Sequence, residues 1–118
     1  MKQDLFIAIK ETLDDYADEV EEVLKKEAEE TAKSTVKELK KTSPKDTGKY
    51  AKNWDYTAEH GKKRARVIVH NKEYGMLTHL LEWGHATVDG GRTKAQKHIQ
   101  PAEKKAQKEY QKRIEDNL

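Results

Sequence analysis

The sequence predicts an α+β fold: a long N-terminal helix, a small antiparallel sheet based on a β-hairpin, a short helix, and a C-terminal helix packed on the sheet. Three observations predict it. From Lys2 to about Lys41 nothing breaks a helix, with no Pro or Gly and many Glu, Lys and Ala. The β-branched segment Arg64–Asn71 follows a polar, Gly-containing turn, His60-Gly61-Lys62-Lys63. Finally, Pro101 stands at the start of a second helical pattern, where its ring geometry is tolerated.

In the first element, Leu5, Ile9, Leu13, Tyr16, Val20, Val23, Leu24, Ala28, Ala32, Val36 and Leu39 recur at helical spacing and form one stripe. A helix over 2–41 would be about 60 Å long at 1.5 Å per residue. That exceeds what so small a protein covers, so a bend or a projecting end is expected, with Thr31–Thr35 as the weak point. The helix stops at Thr42-Ser43-Pro44, because a residue before Pro avoids the helical region. Pro44-Lys45-Asp46-Thr47-Gly48 reads as a turn in which Asp46 or Thr47 caps a short turn of helix. Trp54–Ala58 and Arg64–Asn71 form the hairpin. Met76 to Trp83, with Leu77, Leu80 and Leu81, reads as a short helix ended by Gly84. Residues 85–97 form a polar, Gly-rich loop, the expected mobile functional segment. Ala102, Ala106, Tyr110 and Ile114 mark the buried stripe of the last helix. The expected organisation is a single domain over 1–118: helix over 1–41, sheet with short helix and loop over 42–100, and C-terminal helix over 101–118.

Composition limits what such a fold can do. Of 118 residues, 34% are hydrophobic and 39% charged. Leu, Ile, Val and Phe make up 20 of the 118, a share low enough to suggest disorder. The net charge of +2 removes the self-repulsion that disorder usually needs, so the expectation is a folded, core-poor protein whose burial a partner completes. A large buried catalytic pocket is not expected. The chain has no cysteine, which excludes disulfides, thiolate metal sites and cysteine nucleophiles. It has no apolar run near the length of a membrane span, and its N-terminus lacks the pattern of a signal peptide, so synthesis in the cytoplasm is expected. Residues 1–30 hold 4 Lys against 11 Asp or Glu, whereas residues 31–118 hold 20 basic against 11 acidic residues. Such a dipolar chain can attract copies of itself, although an acidic run is usually a solvated helix face.

Motifs for catalysis are weak. Asp46-Thr47-Gly48 spells the aspartic-protease triplet, but no apolar strand precedes it and a capped turn explains it. His79, Glu82 and His85 permit a zinc site on paper, but not at the spacing of H-E-x-x-H; surface or boundary histidines are the simpler reading. The serines are not in a nucleophile elbow, and Gly90-Gly91-Arg92 lacks the frame of a phosphate loop. No enzyme, cofactor or metal is expected. Two basic segments carry the alternative, a small nucleic-acid-binding protein using loops 61–66 and 90–98: Lys62, Lys63, Arg64 and Arg66 at the hairpin tip, and Arg92, Lys94, Lys97 and His98 in the glycine loop. No aromatic platform is interleaved with them, and a solvated tip or a loop meeting an acidic neighbour explains them as well.

Three segments, in order, resemble elements of one family. Ser43-Pro44-Lys45-Asp46-Thr47-Gly48-Lys49-Tyr50 resembles "A-P-x-D-T-G-x-L" of bacteriophage tail-completion proteins, small head–tail joining or minor tail components of long-tailed (lambdoid) phages and prophages. Tyr74-Gly75 with Leu81-Glu82-Trp83-Gly84-His85 resembles "Y-A-x-x-(L/V)-E-(F/Y)-G-T", and Lys97-His98-Ile99-Gln100-Pro101-Ala102 resembles "x-P-F-(L/I)-x-P-A". His85 departs from Thr, Lys97-His98 from Pro-Phe, and Tyr50 from an aliphatic residue. The resemblance implies a virion structural protein, made in the host cytoplasm, that self-associates in a ring and docks to the tail terminator, tail tube or head connector. It further implies that Asp46, Thr47 and Gly48 fix the turn out of the long helix, that Glu82 and Trp83 anchor the short helix, that Gly84 ends it, and that Pro101 and Ala102 start the docking helix. The 85–97 loop and the hairpin tip are the expected contacts with partners or DNA.

Overall fold

A computed structural model describes residues 7–12, 17–44, 48–84 and 86–117, with Glu11, Thr12, Met76, Leu77 and His79 described by their backbone alone. The elements are β1 (Ile7–Thr12), α1 (Asp18–Thr42), α2 (Lys49–Lys52), β2 (Trp54–Ala58), β3 (Arg64–Asn71), α3 (Gly75–Trp83) and α4 (Ile99–Asn117). The strands form an antiparallel sheet in the order β1-β3-β2, so the chain is α+β as its sequence predicts.

One boundary needs correction. The long helix begins at Asp18, not Lys2, and Ile7–Thr12 is an edge strand paired with β3, Ile7 opposite Val69 and Ile9 opposite Val67. The spacing Leu5–Ile9–Leu13 caused the misreading, because positions i and i+4 share a face in a helix and in a strand alike. Tertiary pairing decides between them: Ile7 and Ile9 are buried, with the exposed Lys10 on the opposite face. Leu5, Leu13 and Tyr16 lie outside the described residues, as do Asp46, Thr47 and His85.

α1 runs without a break through Thr31 and Thr35, about 37 Å for 25 residues. The two hydroxyls there donate to the carbonyls of Glu27 and Thr31, each at 2.8 Å, so the expected weak point is satisfied within the helix. α1 ends at Thr42, and Ser43 is extended before Pro44.

α1 and α4 run antiparallel on one face of the sheet: Glu27 meets Arg113, Ser34 meets Glu109 and Glu38 meets Lys105. Ala28 and Ala32 of α1 and Ala102 and Ala106 of α4 join one apolar cluster with Ile7, Ile9, Trp54, Val67 and Val69. These short side chains let the helices approach the sheet closely, which is how few large apolar residues suffice for a closed core. The other face of the sheet carries Lys10, Arg66, Ile68 and His70, exposed or half-buried.

Candidate interaction surface and the polar junction beneath it

The end of α3, the loop beyond it and the start of α4 are built around one carboxylate. Glu82 is fully buried, and its oxygens accept the backbone N–H groups of His98 (2.8 Å), Ile99 (2.9 Å) and Gln100 (3.1 Å). The first N–H groups of a helix have no intrahelical acceptor. Here Glu82 takes those of α4, Pro101 has none to satisfy, and the Ala102 N–H closes on the His98 carbonyl at 3.4 Å. The first turn of α4 is thereby accounted for donor by donor, with a negative charge at the positive end of the helix dipole. Burial works against the Glu82 charge, but the three N–H donors and the neighbouring His98 imidazole outweigh it and hold the carboxyl below its usual range.

His98 extends this junction into the core. Its Nδ1 lies 2.8 Å from the Gln96 carbonyl and 3.2 Å from Glu82, and its Nε2 lies 2.7 Å from the Tyr50 hydroxyl. Tyr50 donates to Thr78 at 2.9 Å, and burial pushes its phenol up to about 12. Trp54 and Tyr50 meet edge to face at 5.7 Å between ring centres, and the Trp54 indole N–H donates to Ser43 at 2.8 Å. Asn71 donates to the Tyr50 carbonyl and accepts the Tyr74 N–H, pinning the turn into α3. His98 is therefore a buried core residue, not the phosphate-facing loop cation of the nucleic-acid-binding alternative.

Above this junction lies an exposed surface. Trp83, 43% exposed, has the Lys97 ammonium 3.4 Å from its ring centre, and the Arg92 guanidinium donates to its carbonyl at 3.4 Å. Gly84 closes α3 at φ +74, and a Cβ there would stand 2.6 Å from the Thr93 carbonyl oxygen, so no other residue fits. The loop beyond it forms a small hairpin through the Ala86–Arg92 bridge and the Thr87–Gly91 hydrogen bond, with Val88 fully exposed at its tip. The Thr87 hydroxyl and the Gly91 N–H hold Asp89 below its usual carboxylate range. Arg92 and Lys94 are exposed beside it. Among the described residues Trp83 and Val88 are the exposed large hydrophobics, and no sequence pattern singles out Val88.

The hairpin tip is different. Lys63, at φ +57, donates its N–H to Glu21 (3.0 Å), and its ammonium pairs with Asp18 (3.2 Å) and Glu21 (3.4 Å). Arg66 pairs with Glu59 and His60 with Glu29. Lys25 and Lys63 together lower the Glu21 carboxyl to about 2. Two of the four tip cations are thus engaged, Lys63 by the acidic first turn of α1 and Arg66 by Glu59; Lys62 and Arg64 remain exposed. Gly48, at φ +86, caps α2, and Pro101 is exposed while Ala102 is buried in the first turn of α4. Among the described residues no group of three His, Asp or Glu could hold a metal ion, and no helix is long and apolar enough to cross a membrane.

Fold and surface together define a small two-layer α+β protein whose polar network holds its own elements together and whose exposed large apolar side chains, among the described residues, lie on one loop and helix end. Residues 7–84, or 78 of the 118, match the HK97-gp10-like family, described as the bacteriophage HK97-gp10 tail component, and the chain belongs to that family. The match takes in the first resembling segment and the second as far as Gly84; the third, at 97–102, lies beyond it. No curated protein and no solved structure matches the chain.

Proposed function

We propose that this tail component completes tails at the head–tail junction, associating with copies of itself in a ring and docking to neck and tail proteins such as the terminator, tube or connector. The observation that carries the reading is the family match over the sheet and α1–α3. The exposure of Trp83 and Val88, with Arg92 beside each and Lys94 exposed on the same loop, supports it, because exposed large apolar side chains mark surfaces that a protein partner buries. Heterologous contact of this patch on another face of the next copy closes into a ring when the rotation permits. In this reading Asp46, Thr47, Gly48, Glu82, Gly84, Pro101 and Ala102 maintain the fold, and Lys62 and Arg64 are secondary contacts at the tip. The protein works in the virion and assembles in the host cytoplasm.

Deleting the gene from its parent phage or prophage tests the proposal. Heads and tails that form but fail to join or mature, and that the intact protein restores, are the expected result; joined, infectious particles without it would overturn the reading.

A further inference from the structure

A second surface carries charge without any apolar anchor. Lys26, Lys33, Lys37, Lys40 and Lys41 of α1 lie on the outer side of the helix, and Lys33, Lys37 and Lys40 line an open cleft with Arg113 of α4. Glu30 is the one carboxylate in that lining. Arg113 is held by Glu109 (2.9 Å) and Glu27 (3.3 Å), and Lys33 shares Glu30 at 3.5 Å. Lys37 and Lys40 have no ion-pair partner among the described residues. Lys40 and Lys41 also offset the carbonyls of the last turn of α1, but Lys33 and Lys37 stand too far back for that.

We propose that this cleft binds the phosphate backbone of duplex DNA without reading its sequence. Lys33, Lys37 and Lys40 form a row of three cations along about 10.5 Å of helix axis at 1.5 Å per residue, and a duplex presents to such a row one phosphate per strand for about every 3.4 Å of its axis. Lysines act as point charges, suited to phosphate contact and not to the bidentate reading of base edges. An acidic protein would need an apolar or aromatic anchor at the centre of its footprint, and the cleft offers only the half-buried Val36. The inference is independent of the assembly reading, since it concerns a different face.

Binding of a short random-sequence duplex to the purified chain, measured by fluorescence anisotropy across a salt series, tests it. With three contacts the logarithmic salt slope is about −2.7, so affinity falls about 40-fold between about 50 and 200 mM salt. K37E/K40E, confirmed folded by circular dichroism, is expected to lose binding, and K62E/R64E at the hairpin tip to keep it. The proposal is overturned if the duplex does not bind at the lowest salt, if K37E/K40E binds as well as the unaltered chain, or if K62E/R64E loses binding instead. Binding of poly-glutamate without binding of the duplex would assign the cleft to an acidic protein and also overturn it.

Discussion

Glu82 and Glu21 do the same chemical work in two different places. Each carboxylate accepts a backbone N–H from an element distant in sequence, and each titrates below its usual range. Glu82 is fully buried, with three N–H donors and His98 around it. Glu21, 8% exposed, lies at the margin of the fold and latches the hairpin tip through Lys63 with Lys25 beside it, two cations whose side chains stay partly in water. A latch whose cationic partners reach water exchanges their hydration for a pair and gains less, whereas one whose donors are all buried is costly to break because they cannot find water instead. The junction at α3 and α4 should therefore dominate the stability of the interaction surface, while the tip latch sets only local geometry.

Removing the buried latch gives the largest expected effect. E82A leaves the first N–H groups of α4 without acceptors and should cost about 3 kcal/mol, read as a fall of about 10 °C in a thermal melt. A melt unchanged by E82A would erase the distinction between the two latches. Acid should sharpen it. The folded Glu82 carboxyl titrates below its ordinary value of 4.5, so its contribution is complete above that pH and is lost as pH falls through the depressed value. Stability of the unaltered chain should consequently decline more steeply below pH 4.5 than that of E82A, in melts recorded down an acid series. The smallest effect belongs to E21A. Its melt should fall less than that of E82A, and the difference from the unaltered chain should shrink in molar salt, which screens the pairs with the partly exposed Lys25 and Lys63. A salt-resistant E21A deficit as large as that of E82A would show the tip latch to be structurally equivalent.

The parts of this architecture that periodicity specifies were legible in the sequence. α1 beyond Asp18, the hairpin of β2 and β3, the Gly84 stop and the Ala102–Ala106–Tyr110 stripe follow from local pattern. β1 was not legible, because its apolar spacing fits a helix and a strand equally and only the unfilled edge of β3 selects between them. The junction was hidden for another reason. Tyr50, Thr78, Glu82 and His98 are separated by 4 to 48 positions in sequence, and nothing local in a polar residue announces that the fold will bury it. Charge counting misled in the same way: the tip at 61–66 is the denser basic run, yet α1 engages Lys63, and Arg66 pairs with Glu59, while Lys37 and Lys40 stay open.

The central proposal is that the loop surface is the principal contact of this protein with its neighbours and the tip a secondary one. Complementing a gene deletion with V88D/R92E tests it most directly, since Val88 is fully exposed and its substitution leaves the core intact. The expected result is a stable, folded variant that accumulates normally but leaves heads and tails unjoined where the unaltered chain restores them. Joined, infectious particles from V88D/R92E would contradict the account.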